Sequence, residues 1–275
     1  MTPVLDLRRR ELPVGEALVE TGFVILEHHG VPGAAWHRAV PRRRHARSRC
    51  RTRSRRAIAG QQTYSQRGYL PARTVLPDGR AALDRKECWH GRRVGHRHGN
   101  LFPDEVPELT PAVLELIAAL DALADRILAA LDAYLGRDPG LLVGRVRDGD
   151  SLFRINHYPG GDAGTRFQPH RDFDLITFLF GATQPGLEVE TRDGRWQPIA
   201  PSRDGLVVNA GDLLAIESGG RIPSTRHRVV APPVPDGGRI SMVYFVAPRP
   251  EVRLGDGRAA GDVIDTRLRE AGYLR

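Results

Sequence analysis

Leu152-Phe153-Arg154-Ile155-Asn156-His157-Tyr158 reads as a β-strand, and it opens the part of the chain that decides the fold. Asn156 and Tyr158 stand two residues apart and so share one face of such a strand, while His157 between them faces the other way. We read His157 as packed or solvated rather than as a ligand. Downstream, short β runs alternate with turn residues: Leu175–Phe180, Leu187–Glu190, Trp196–Ile199, Leu206–Asn209, Leu213–Ile216, His227–Val230 and Ile240–Val246. Asp193-Gly194 is a hairpin signal between two of these runs, and Trp196 beyond it reads as a core or sheet-edge anchor. Eight short strands preceded by helices predict a mostly β protein with helices, a jelly-roll core over 151–250 braced by an α-helical N-terminal part over 1–150. Residues 251–275 read as a C-terminal tail, the whole of 1–275 as one domain.

Upstream of that core, Glu11 to Gly22 looks like a first helix, followed by the strand Phe23-Val24-Ile25-Leu26 and the turn His29-Gly30-Val31-Pro32. A long helix starts with Thr110 as N-cap and Pro111 at the first position. Leu114, Ile117, Leu120, Leu123, Ile127, Leu128, Leu131 and Leu135 give it a helical apolar face, and Gly136 ends it.

Composition removes several classes. The 275 residues hold 30 glycines and 21 prolines, below the roughly 25–30% combined share of low-complexity chains. No apolar run approaches the roughly 20 residues of a membrane helix; Leu175 to Phe180 spans six. Asp6 stands where a signal peptide needs an apolar core, and Cys50 and Cys88 cannot make a disulfide framework, so we expect a cytoplasmic protein. The net charge of +8 comes from one place: nine arginines and no acid lie in 41–56. Without them 32 basic side chains face 33 acids. The run lacks aromatic residues, helical periodicity and zinc-finger spacing, so it reads as a solvated segment and nucleic acid is not the expected partner.

The chemistry is carried by polar residues at strand spacing. His170 and Asp172 lie at i and i+2, and His227 follows 55 residues after Asp172. Two imidazoles and one carboxylate on one face match the facial triad of non-haem Fe(II) oxygenases, which leaves coordination positions open. Arg239 and Ser241 form a second pair at strand spacing, a guanidinium fork and a hydroxyl suited to a carboxylate. Asp174 as a fourth ligand would close a position that such a centre needs open, so it is left out. His96 and His98 lie in a Gly- and Arg-rich loop and are read as solvent-exposed, and Cys50 has no catalytic partner in sequence.

These residues resemble the isopenicillin N synthase-like family of Fe(II)- and 2-oxoglutarate-dependent oxygenases. The likeness runs through Glu20-Thr21-Gly22-Phe23, His29-Gly30-Val31-Pro32, Arg154-Ile155-Asn156-His157-Tyr158-Pro159 and Pro169-His170-Arg171-Asp172-Phe173. It continues in Asp193-Gly194-Arg195-Trp196, Val208-Asn209-Ala210-Gly211-Asp212, Ser224-Thr225-Arg226-His227-Arg228-Val229 and Arg239-Ile240-Ser241. The resemblance implies a distorted double-stranded β-helix, with His170, Asp172 and His227 binding Fe(II). It implies that Arg239 and Ser241 hold the distal carboxylate of 2-oxoglutarate with help from Tyr158, that Asn156 lies near the keto-acid end, and that Phe245 faces substrate; Phe173 is a second candidate there. Oxidative decarboxylation would then give succinate and CO2, with O2 as oxidant and a small-molecule metabolite hydroxylated, desaturated or cyclised by a monomeric enzyme.

The chain departs from that pattern in three places. The arginine run replaces an amphipathic helix over 38–56, 91–98 looks shortened, and Glu217-Ser218-Gly219-Gly220 stands where relatives commonly have Thr-Asn-Gly. Lys86 is the only lysine beside 40 arginines, as expected of a GC-rich gene, and an out-of-frame reading of such a gene yields Arg-rich runs. The arginine run therefore reads as a stretch scrambled relative to relatives. Two other readings stand beside the oxygenase: an oxidase of the same family that needs no 2-oxoglutarate, and a vestigial jelly-roll binding protein whose N-terminal half is damaged.

Overall fold

The computed structural model describes residues 1–39, 67–70, 86–96, 99–104, 106–159, 164–180, 182–202, 204–231 and 238–270. The arginine run, Cys50 and His98 lie outside them. The front half carries β1 (Val4–Asp6), α1 (Val14–Thr21), β2 (Phe23–Glu27), α2 (Gly33–Ala39), β3 (Gly68–Leu70), β4 (Glu87–Gly91), α3 (Leu109–Leu135) and α4 (Leu141–Val146). The back half carries β5 (Leu152–Tyr158), β6 (Gly164–His170), β7 (Ile176–Phe180), β8 (Leu187–Glu190), β9 (Trp196–Pro198), β10 (Leu206–Ala210), α5 (Asp212–Glu217), β11 (His227–Ala231), β12 (Arg239–Val246) and α6 (Ala260–Glu270).

These strands form two sheets. Eight strands pair in the order β1-β2-β10-β7-β12-β5-β4-β3, and four in the order β6-β11-β8-β9. All pairings are antiparallel except β1 with β2. Alternation along each strand sorts the side chains between two compartments. Val24, Leu26, Phe153, Ile155, Phe178, Val208, Met242 and Tyr244 turn one face of the large sheet into the main core with α3. Phe23, Ile25 and Val207 turn the other face toward Val189 and Ile199 of the small sheet. The space between the two sheets, which is the inside of the jelly roll, is where Arg154, Asn156 and Tyr158 point.

Helix α3 buries Ile117, Leu120, Leu123, Ile127, Leu128, Leu131 and Leu135 of the apolar face read from the sequence, whereas Leu114 is only half-buried and Leu116 is buried as well. It ends as expected at Gly136, whose φ of 65° is the left-handed conformation in which glycine is unstrained. The Gly136 N–H donates to the Ala133 carbonyl and the Arg137 N–H to that of Asp132, which satisfies the last turn. Its start differs, because Leu109 is already helical, Glu108 is at the cap position without a side-chain cap bond, and Thr110 lies inside.

Two further expectations are corrected. Leu213–Ile216 is not a strand but the middle of α5, since a four-residue apolar run has no period that separates the two states. Gly164–His170, which is not among the β runs read from the sequence, is strand β6. Its polar residues and Pro169 disguise it, and both are tolerated because β6 is an edge of the small sheet. Trp196 is on the opposite edge strand of that sheet, beneath the Arg228 guanidinium at 4.2 Å.

Candidate metal centre

His170 is the last residue of β6 and His227 the first of β11, and the two are direct cross-strand partners. The chain leaves β6 after His170 and carries Asp172 in the loop to β7. This places one nitrogen or oxygen from each of His170, Asp172 and His227 within 4.8 Å of one another. Nε2 of His170 lies 3.8 Å from Oδ1 of Asp172, and Nε2 of His227 lies 3.8 Å from Oδ2. Among the described residues this is the one such group of His, Cys, Asp and Glu.

The tautomers follow from the neighbours. Nδ1 of His170 faces the Gln168 carbonyl at 2.8 Å, and Nδ1 of His227 faces that of Thr225 at 3.2 Å. A carbonyl only accepts, so each Nδ1 donates and each Nε2 keeps its lone pair turned toward the centre. Burial first, and then neighbouring His227, hold the His170 imidazole well below its usual range against the pull of Asp172. Phe23 packs edge-on to the His227 ring at 5.5 Å and fixes its plane. Neutral imidazoles and an ionised carboxylate are what a divalent iron needs.

Asp172 is kept ionised. Its Oδ2 accepts from the Thr177 hydroxyl at 2.7 Å and the Asn209 amide at 2.8 Å. Thr177 and Asn209 are themselves cross-strand partners on β7 and β10. Burial raises the Asp172 carboxyl, but His227, His170 and these two donors outweigh it, and the net shift is downward. Asp174 behaves oppositely: burial and then the Asp172 charge hold it well above its usual range. The Thr177 hydroxyl also stands 3.0 Å from Oδ2 of Asp174, so it lies between the two carboxyl groups.

Helix α5 holds the loop. The N–H groups of Gly211, Asp212 and Leu213 donate to the carbonyls of Leu175, Asp172 and Asp174. A Cβ on Gly211 would lie 2.2 Å from the Asp174 carbonyl oxygen, so only glycine permits this approach. Glu217, in the segment where the chain departs from its family, turns instead into a buried cluster with Arg137, Arg145 and the Gly255 N–H.

Beside the triad a cavity of about 350 Å³ opens between the sheets. It is lined by Asn156, Tyr158, Arg239, Ser241 and Phe245 as well as the triad; Phe173 is not among the lining residues. Arg239 pairs with Tyr158 and Ser241 with Asn156 across β12 and β5. The Arg239 guanidinium is buried and donates Nε–H to the Gln184 carbonyl at 3.0 Å. Its Nη1 has no hydrogen-bond partner among the described residues, and neither has Oδ1 of Asn156. Burial lowers the Arg239 pKa while Tyr158 works against that shift, so an opposing anion would relieve the strain on its charge.

Two residues set aside in the sequence have other places. His157 faces away from the cavity, 3.9 Å from Glu87. The expected exposure of His96 is corrected: its imidazole is buried and paired at 2.9 Å with Asp150. Arg92 and Arg93 beside it donate to carbonyls of Asp150 and Val146, so this short stretch is bonded into the base of the sheet. Sequence reasoning missed Thr177 and Asn209 as supports of Asp172; the signal was a polar side chain inside an otherwise apolar strand in each case.

A model of the 2OG-Fe(II) oxygenase superfamily matches residues 149–248, the stretch from β5 to β12 that contains the triad. A 2OG-Fe(II) oxygenase family protein of Caulobacter crescentus is 31% identical, with a TM-score of 0.78 over 94% of this chain and 92% of that one. Gibberellin 2-beta-dioxygenase 1 of Pisum sativum is 28% identical over 159 residues, 54% of this chain and 48% of the relative. Validamycin A dioxygenase of Streptomyces hygroscopicus subsp. limoneus is 31% identical over 210 residues, 68% and 57% of the two chains. This chain belongs to the 2OG-Fe(II) oxygenase superfamily, in line with the resemblance carried by its motifs. It spans about half the length of the curated relatives it matches. No described helix is long and apolar enough to cross a membrane.

Proposed function

We propose that the protein is an Fe(II)- and 2-oxoglutarate-dependent dioxygenase of a small-molecule substrate, with His170, Asp172 and His227 as iron ligands. The observation that carries this reading is the buried Arg239 fork, with one nitrogen unpartnered, in the same cavity as a three-ligand N,N,O cluster. When bound, Fe(II) with 2-oxoglutarate and O2 supplies an oxidant for a substrate C–H bond and leaves succinate and CO2.

The chain's own residues bind, orient and exclude water. Arg239 offers a fork to the distal carboxylate of 2-oxoglutarate, Ser241 a hydroxyl from the same strand face, and Tyr158 lies against the guanidinium at 5.3 Å. Asn156 faces the keto-acid end with an unpaired carbonyl oxygen. Phe167, Leu179 and Phe180 keep the cavity dry, and Phe245 faces the substrate.

Binding of 2-oxoglutarate to the Fe(II) form, followed anaerobically, tests this reading. Lysine at 239 keeps the charge and loses the fork. A charge-assisted hydrogen bond contributes about 1.5–3 kcal/mol, so Arg239→Lys should raise the 2-oxoglutarate Kd by roughly one to two orders of magnitude and leave iron affinity nearly unchanged. A wild type that binds iron but no 2-oxoglutarate would transfer Arg239 and Ser241 to a substrate carboxylate and replace the dioxygenase by a 2-oxoglutarate-independent oxidase.

A further inference from the structure

The cavity contains a second guanidinium that the iron and 2-oxoglutarate do not use. Arg154 shares the inward face of β5 with Asn156 and Tyr158, and it stands level with Val243 on β12. Val243 is four residues from Arg239, about 13 Å at the rise of a strand, so the two forks stand toward opposite ends of one wall.

Arg154 is held in place without being neutralised. Its Nε donates to Nε2 of His90 at 2.8 Å. His90 is buried, and burial first, then the charges of Arg154, Arg92 and Lys86, keep it neutral. A neutral acceptor orients the guanidinium and leaves its charge available, where a carboxylate would have quenched it. The Phe245 ring lies under the guanidinium at 4.8 Å. None of the described carboxylates forms an ion pair with Arg154. Lys86 lies 2.9 Å from the centre of the Phe167 ring, and among the described residues Asp172 is the one carboxylate lining the cavity. Among the described residues, Phe167, Phe180, Val243 and Phe245 give the cavity apolar wall, with Phe245 directly beneath the guanidinium.

We propose that Arg154 is the substrate's anion anchor, so that the protein acts on a small, otherwise apolar carboxylic acid whose carboxylate is bound by this fork on the Phe245 side of the cavity. The proposal rests on the dioxygenase reading. His90 is a positioning residue that fixes the fork.

The test is anaerobic calorimetry on the full chain loaded with Fe(II) and saturating 2-oxoglutarate. The probes are phenylacetate, 3-phenylpropionate and cyclohexanecarboxylate, each beside its primary amide. At least one acid should bind about tenfold or more tightly than its amide. Arg154→Gln should bring acid and amide within about twofold, and Arg154→Lys should keep part of the preference. Affinity for 2-oxoglutarate, measured on each variant, should stay within about twofold and shows that the cavity is folded. An acid preference that survives in Arg154→Gln, or a wild type that binds 2-oxoglutarate and yet binds none of the acids better than its amide, overturns the anchor alone. A wild type that binds no 2-oxoglutarate overturns the dioxygenase reading and the anchor with it.

Discussion

His170 and His227 each offer one lone pair, and the state of each ring is set by a single backbone carbonyl on its far side. Removing either imidazole leaves one nitrogen and one carboxylate, which make a poor site for iron. His170→Ala and His227→Ala should therefore both lose stoichiometric Fe(II), read by anaerobic titration and metal analysis, while the far-ultraviolet circular dichroism is kept. Undiminished iron in both variants would remove the triad. Asp172 depends on its own supports, so Asn209→Ala should weaken Fe(II) binding by about 10- to 100-fold, because the donor on Oδ2 is lost. Unchanged affinity there would show that Thr177 alone orients the carboxylate. At this scale much was legible: Asn-x-Tyr and Arg-x-Ser declare themselves by strand spacing, and His-x-Asp with the distant His by its ligand types, although Asp172 lies in the loop after β6 and not on a strand. Arg154 and His90 did not, since their meaning lies in a contact between residues 64 positions apart.

The element that matters most to the centre is α5. An apolar run such as Leu213–Ile216 reads equally well as strand or helix, and only its tertiary contacts decide. As a helix it places Gly211, Asp212 and Leu213 so that their N–H groups hold the loop carrying Asp172. Gly211→Ala would drive a methyl group to 2.2 Å from the Asp174 carbonyl, and backbone on both sides leaves the loop as the part that must shift. Fe(II) affinity should fall at least about tenfold, with the unfolding midpoint lowered as well. Iron binding as tight as in the wild type would show that the loop is held elsewhere. Strand β6 makes the complementary point. Its residues are polar because it is an edge, and its last residue is nonetheless an iron ligand candidate.

For the whole molecule, the large sheet has one face for the core and one for chemistry, and α3 supports the first so that the second stays in register. Tyr244, in the core face of β12, donates its hydroxyl to Asp121 on α3. Burial, opposed by that hydrogen bond, leaves the Asp121 carboxyl above its ordinary value of 3.8. A raised carboxyl contributes stability that is fully present below the unfolded value and is lost as pH rises through the folded one. Asparagine keeps an acceptor for Tyr244 and has no charge to bury. The stability of the wild type relative to Asp121→Asn should therefore fall as pH rises above about 4, read as the difference between their urea midpoints. A difference that is flat or opposite in slope would mean that Asp121 ionises freely in the folded protein.

The sequence by itself determined the strand-rich back half, the long helix with its glycine stop, and the polar pairs Asn156 with Tyr158 and Arg239 with Ser241 that share a strand face, because each depends on signals written locally in the chain. Tertiary structure alone decided that Leu213–Ile216 is a helix, that Gly164–His170 is a strand, that β1, β3 and β4 extend the large sheet, and that His96 is buried against Asp150. These were not legible because short or polar segments carry too little periodic signal, and their conformation is set by the partner they meet. The same holds for the second guanidinium. Arg154 looks like any arginine on a strand until the fold places a neutral histidine behind it and the cavity between the sheets before it.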